Sequence, residues 1–196
     1  MAIFTVTRDG LRSARVIAAS SAIRIVLTPV VMWLVLEGEG NAAELVACGL
    51  FCGAAATDWL DGRLARRWGV TSRLGSFLDT TADKLLVSGV LVALLEAGRA
   101  SAWIVALIIG RELVLMALRG VIASEGEVMA PSLLGKLKTS IQFLAIALAI
   151  LRPGEPVGDL YVDEWAMLAA AVITVASAAD YLVRAIPVVA RTDASE

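Results

Sequence analysis

Four aspartates carry the spacing in this chain that points most directly to chemistry. They lie in TDWLDGRLARRWGVTSRLGSFLDTTADK, residues 57–84. Asp58, Asp61, Gly62, Ala65 and Arg66 stand at i, i+3, i+4, i+7 and i+8, which is one face of an α-helix. Gly75, Asp79 and Asp83 follow at i, i+4 and i+8, again one face. A short turn near Gly69 and Val70 would make the two helices antiparallel neighbours, with Asp61 level with Asp79 and Asp58 level with Asp83. Four carboxylates in a low-dielectric site cannot all stay ionised without compensation, so either some are protonated or cations bind. Two divalent ions would balance four negative charges, and metals paired at about 3.5–4 Å are a recurrent device of phosphoryl chemistry. The chain has no histidine. This excludes Ser-His-Asp and Cys-His machinery and any His-ligated zinc. Oxygen donors alone suit magnesium or manganese.

The small residues on those faces fit the same picture, because without large side chains a ligand or a second backbone can come close. Arg66, one turn nearer the turn, is placed to meet a phosphate. Taken singly, Gly62 and Ala65 are equally served by tight helix–helix packing. One or two of the aspartates would be served by a solvated helix end. Four on two matched faces are poorly explained that way, since acids within membrane helices are rare and usually functional.

The elements that must position these residues are read from hydropathy. The 196 residues are 59% hydrophobic, with a mean hydropathy of +0.81, too apolar for one soluble core. A spanning helix needs about 20 mostly apolar residues. Six segments qualify, 21–36, 42–67, 74–95, 101–124, 133–151 and 164–188, giving an all-α membrane domain over the whole chain. Arg8, Arg12 and Arg15, then Arg63, Arg66, Arg67 and Arg73, then Lys136 and Lys138, and finally Arg191 alternate with acidic connections. Positive loops stay inside, so both termini and the aspartate end of the second and third helices are expected in the cytoplasm. Leu11, Arg12, Arg15, Val16, Ile17 and Ala18 would form a short amphipathic helix on the inner leaflet or a frayed basic tail. Cys48 and Cys52, four apart, read as small packing residues, and no cleavable signal peptide is evident.

Basic residues in the second half suggest an anionic ligand. Arg111 and Arg119 share a stripe of the fourth helix, and Arg111 falls near its middle, where an unpaired cation is costly. Gly135, Lys138, Thr139 and Gln142 make a polar stripe on the fifth helix, from which Lys136 is rotated by about 200° at roughly 100° per residue. Arginine and lysine beside a metal site would suit an alcohol that already carries phosphate. An ion pair with an acid such as Glu112 would also account for Arg111, and inside-positive topology for Lys136. Asp180 and Arg184, at i and i+4, are expected to pair with each other.

The pattern D-x2-D-G-x2-A-R-x8-G-x3-D-x3-D, read here without departure from Asp58 to Asp83, resembles the signature of the CDP-alcohol phosphatidyltransferases. The six-helix layout is similar to that family too. The resemblance implies that Asp58, Asp61 and Asp79 hold two divalent cations, Mg2+ or Mn2+. It further implies that Asp83 touches the metal site and acts as general base, that Gly62, Ala65, Arg66 and Gly75 line the CDP pocket, and that the protein is a homodimer. The stretches GRELVLMALRGVIASEG and GKLKTSIQ resemble the family's bacterial phosphatidylglycerophosphate synthase branch. This implies CDP-diacylglycerol as donor and glycerol 3-phosphate as acceptor, whose phosphate the basic residues Arg111, Arg119, Lys136 and Lys138 would bind. At the first helix, Arg24 and Pro29 match that branch's opening pattern but its asparagine does not occur in SSAIRIVLTPV.

Two other readings compete. A sister transferase would take a different acceptor, such as inositol phosphate. A divalent-cation transporter would also place acids on membrane helices, but it predicts polar breaks along the full depth of several helices, whereas here the acids of the second and third gather at one end.

Overall fold

The computed structural model of the chain is all-helical, with backbone described for residues 8–68, 73–124, 129 and 132–193 and side chains for 20–57, 79–124, 129 and 132–186. Six helices occur among these residues: α1 (Arg8–Glu37), α2 (Gly40–Trp68), α3 (Arg73–Glu96), α4 (Ala102–Ser124), α5 (Leu133–Leu151) and α6 (Val162–Asp193). Three are long and apolar enough to cross a bilayer: α1 over Ser20–Glu37, α5 over Leu133–Leu151 and α6 over Val162–Ile186. α4 is as long, but carries Arg111, Glu112 and Arg119 within its 23 residues.

α1 differs from the expected span by starting at Arg8 rather than Ser21. The basic stretch around Arg12 and Arg15 is thus continuous with the apolar part and is not a separate helix. No glycine or proline lies between Leu11 and Thr28 to break it.

The chain divides into two compact units, Met1–Ala93 and Leu94–Glu196. In the first, α1 packs on α2. The two are joined by a turn in which Gly40 takes a positive φ of 77°, a conformation glycine adopts without a Cβ penalty. The inward face of α1 is polar: Ser21, Arg24 and Thr28 are buried with Val31, while Ile23, Val26 and Trp33 are 58%, 65% and 61% exposed. A soluble helix would bury the apolar set. The inversion fits a helix whose outer face meets lipid, where the polar side chains must find protein partners. α3 approaches α1 closely at Gly89, where a Cβ would stand 2.7 Å from the Thr28 methyl and 3.0 Å from Met32 Sδ.

In the second unit α6 packs on both α5 and α4. α5 is capped by Ser132, whose hydroxyl accepts from Gly135 N–H at 3.0 Å, satisfying an orphan donor of the first turn. Its buried stripe runs Lys138, Gln142, Ala145, Ile146, Ala149 and Ile150, polar at the start and apolar beyond. Farther along α4 and α6, Leu115, Ile122, Tyr181 and Ala185 form an apolar cluster.

Candidate active site

Asp58, Asp61, Gly62, Ala65 and Arg66 lie in the last turns of α2, and Gly75 in the first turn of α3. Their side chains fall outside the described residues, as does the turn that joins the two helices. Asp79 and Asp83 are described. They continue the stripe of α3 that buries Leu86 and Val90, at the i, i+4, i+7 and i+11 positions of one face. Among the described residues no group of three or more Cys, Asp or Glu side chains gathers around one point.

Asp79 is held from α1. Arg24 Nη1 stands 3.0 Å from Asp79 Oδ1, with the Arg24 side chain 1% exposed and that of Asp79 31% exposed. The Ser21 hydroxyl donates to the same oxygen at 3.4 Å. Arg24 is in turn fixed by α1: its Nη2 donates to Ser20 Oγ at 2.9 Å, and its carbonyl accepts from Thr28 Oγ1 at 2.8 Å. Asp83 Oδ2 lies 3.6 Å from Lys84 Nζ. Sequence reasoning named Arg24 only as a pattern match and missed its partner. The signal was present in one arginine inside an apolar span, flanked at i−4 and i+4 by hydroxyl residues, which requires a buried acceptor nearby.

In the second unit, two of the four basic residues assigned to an acceptor phosphate come together. Glu112 Oε1 accepts from Arg111 Nη1 at 2.8 Å and also from Lys138 Nζ across the α4–α5 gap. Arg111 Nη2 donates to Ser177 Oγ on α6 at 3.1 Å, and Ser177 Oγ donates to Thr174 O at 3.0 Å. Glu112, Lys138 and Gln142 are all buried, and Gln142 Oε1 and Arg111 Nε have no hydrogen-bond partner among the described residues. Charges in such a place persist only when paired and hydrogen-bonded. Buried amide and guanidine atoms without a protein partner are the kind a polar ligand or a water satisfies.

The other two basic residues sit elsewhere. Arg119 is exposed, with its guanidinium 5.2 Å from the Tyr181 ring centre, a cation–π distance. Lys136 is exposed while Lys138 is buried, as the rotation between them requires. Asp180 and Arg184 pair at 2.9 Å as expected.

Comparison with known proteins gives one answer at several levels. A family model described as CDP-alcohol phosphatidyltransferase matches residues 18–182. A Bacillus subtilis (strain 168) protein named CDP-diacylglycerol--glycerol-3-phosphate 3-phosphatidyltransferase is 39% identical over 171 residues, covering 81% of this chain and 88% of its own. An Escherichia coli (strain K12) protein of the same name is 39% identical over 167 residues, with coverage of 81% and 88%. A Mycobacterium tuberculosis (strain ATCC 25618 / H37Rv) protein named probable phosphatidylglycerophosphate synthase is 38% identical over 167 residues, with coverage of 84% and 78%. With the aspartate signature unbroken and the match running from α1 into α6, this chain belongs to the CDP-alcohol phosphatidyltransferase family.

Proposed function

We propose that the chain transfers the phosphatidyl group of CDP-diacylglycerol to sn-glycerol 3-phosphate, giving phosphatidylglycerophosphate and CMP. The observation that carries the reading is the complete set of eight signature residues from Asp58 to Asp83, in a chain 39% identical to proteins named for that reaction.

The family generally uses divalent cations, and the described residues fit them. Carboxylate oxygens are the donors hard cations prefer. Both described contacts of Asp79 fall on Oδ1, which leaves Oδ2 for a metal. Asp58, Asp61, Asp79 and Asp83 would hold two such ions, Mg2+ or Mn2+, which when bound would supply positive charge to stabilise the phosphate oxygens in the transition state. Gly62, Ala65 and Gly75 leave room for the CDP moiety, and Arg66 binds one of its phosphates.

The acceptor hydroxyl attacks the phosphorus that carries diacylglycerol. A new O–P bond forms as the bridging P–O bond to CMP breaks, and Asp83 takes the hydroxyl proton. Arg111 and Lys138 bind the phosphate of the acceptor by charge-assisted hydrogen bonds. Arg119 and Lys136 add positive charge that draws the anion in from water.

The protein is one domain of six membrane-spanning helices, working as a homodimer in the bacterial cell membrane. Both termini and the active site face the cytoplasm, a placement supported by the alternation of basic and acidic connections. The lipid tails then stay in the bilayer while CMP and the acceptor exchange with the cytosol.

The test is an assay of the purified protein in detergent with CDP-diacylglycerol, Mg2+ or Mn2+, and a panel of alcohols. CMP is expected with glycerol 3-phosphate and not with inositol phosphate or serine. Release with another alcohol alone reassigns the acceptor. No release with any alcohol under either metal overturns the transferase reading and returns the acids to an ion-transport role.

A further inference from the structure

We infer that Arg24 is a positioning residue of the metal site, holding one carboxylate oxygen of Asp79 so that the other is presented to a divalent cation. The inference rests on the metal reading proposed above and extends it to α1, a helix outside the aspartate signature.

Three observations carry it. First, the guanidinium is 1% exposed within a helix apolar enough to span a membrane. A cation there is expensive and persists for a reason. Second, its surroundings are built to aim it. Ser20 Oγ accepts from Nη2 at 2.9 Å while Nη1 meets Asp79 Oδ1 at 3.0 Å, and Ser21 reinforces the same oxygen at 3.4 Å. Gly89 lets α3 come within van der Waals reach of Thr28 and Met32, which brings the two helices close enough for the pair. Third, the burial is asymmetric. The arginine is closed off, whereas Asp79 keeps 31% of its side chain open. A pair kept only to join two helices would be replaceable by apolar side chains at little or no cost, and would not need one partner left open on one side. A carboxylate with one oxygen clamped and the other free has lost much of its rotational freedom, so cation binding no longer has to impose that order.

The test is Mn2+ binding to the full-length protein in detergent, followed by electron paramagnetic resonance without lipid substrate. Size-exclusion profile and helical content serve as checks of folding. Arg24→Gln is expected to weaken Mn2+ binding about tenfold or more, in the range seen when partners of metal ligands are removed. Arg24→Lys, which keeps the charge but offers a single donor nitrogen in place of the guanidinium fork, should recover part of that loss. In turnover assays the Mg2+ concentration for half-maximal rate should rise in Arg24→Gln more than the KM for glycerol 3-phosphate. A folded Arg24→Gln protein that binds Mn2+ as well as or better than the parent overturns the inference alone. A parent that binds no Mn2+ overturns the metal reading and the inference with it. If Arg24→Gln does not fold, Arg24→Lys and Ser21→Ala decide the matter, and unchanged Mn2+ affinity in both overturns the assignment.

Discussion

Replacing Asp83 by asparagine is expected to cut turnover by about 10²–10⁴-fold, the usual contribution of a positioned general base. The substitution keeps the shape of the side chain and removes only its capacity to take a proton. The position of Asp83 is compatible with that proposed task. It lies one helical turn beyond Asp79 on the same face of α3, with its side chain 24% exposed and its Oδ2 3.6 Å from Lys84 Nζ. The group is thus reachable by a hydroxyl yet not fully bathed in water. CDP-diacylglycerol binding, measured directly with the detergent-solubilised variant, should change far less than turnover. An asparagine can still offer one oxygen to a cation, so Mn2+ binding should also survive in weakened form. Turnover within tenfold of the parent would remove Asp83 from proton transfer. Loss of Mn2+ binding as complete as that of turnover would make it a metal ligand and nothing more.

How far the sequence carried the fold depends on which forces act locally. The segment 133–151 coincides with α5, and 42–67, 74–95 and 101–124 fall within two residues of α2, α3 and α4 at each end, because hydropathy and turn residues mark those ends directly. The starts and stops that were misjudged belong to α1 and α6. Bilayer thickness limits how many apolar residues a span needs, but it does not end a helix. Backbone hydrogen bonding does not stop where the apolar stretch does, so α1 begins at Arg8 and α6 runs on past Pro187 to Asp193.

The same division runs through the site. Spacing along one helix placed Asp79 and Asp83 on a shared face, and that is a local fact. Which side chain meets Asp79 is not local: Arg24 lies 55 positions away, and nothing in the period of α1 names its partner. Likewise, Glu112 was readable as a mate for its neighbour Arg111. That Lys138, 26 residues on, reaches the same oxygen follows from how α5 is set against α4, which one sequence does not specify. Burial also distinguishes Lys138 from Lys136, where inside-positive charge alone treats them as equals.

The shared carboxylate has the larger consequence for stability. Glu112→Gln is expected to destabilise the second unit by about 3–5 kcal/mol, the range for removing one partner of a buried ion pair. The side chains of Glu112, Arg111 and Lys138 are 7%, 11% and 4% exposed, so water offers little relief to two cations brought face to face when the acid between them is neutralised. A drop in Tm in detergent reads this out. Adding Lys138→Met should recover stability, because it removes one of the two cations, and contacting residues couple by about 0.5–3 kcal/mol. The double variant therefore separates two roles. If Lys138 serves only to balance Glu112, the restored protein should turn over with a parent-like KM for glycerol 3-phosphate. If Lys138 binds the acceptor's phosphate, the protein should be stable yet raise that KM by about tenfold or more, with the KM for CDP-diacylglycerol unchanged, since hydrogen bonds to charged groups are worth about 1.5–3 kcal/mol each. The second outcome is expected. An unshifted Tm in Glu112→Gln would mean that the carboxylate does not hold the pair together, and a parent-like acceptor KM in the stable double variant would move the phosphate site away from Lys138.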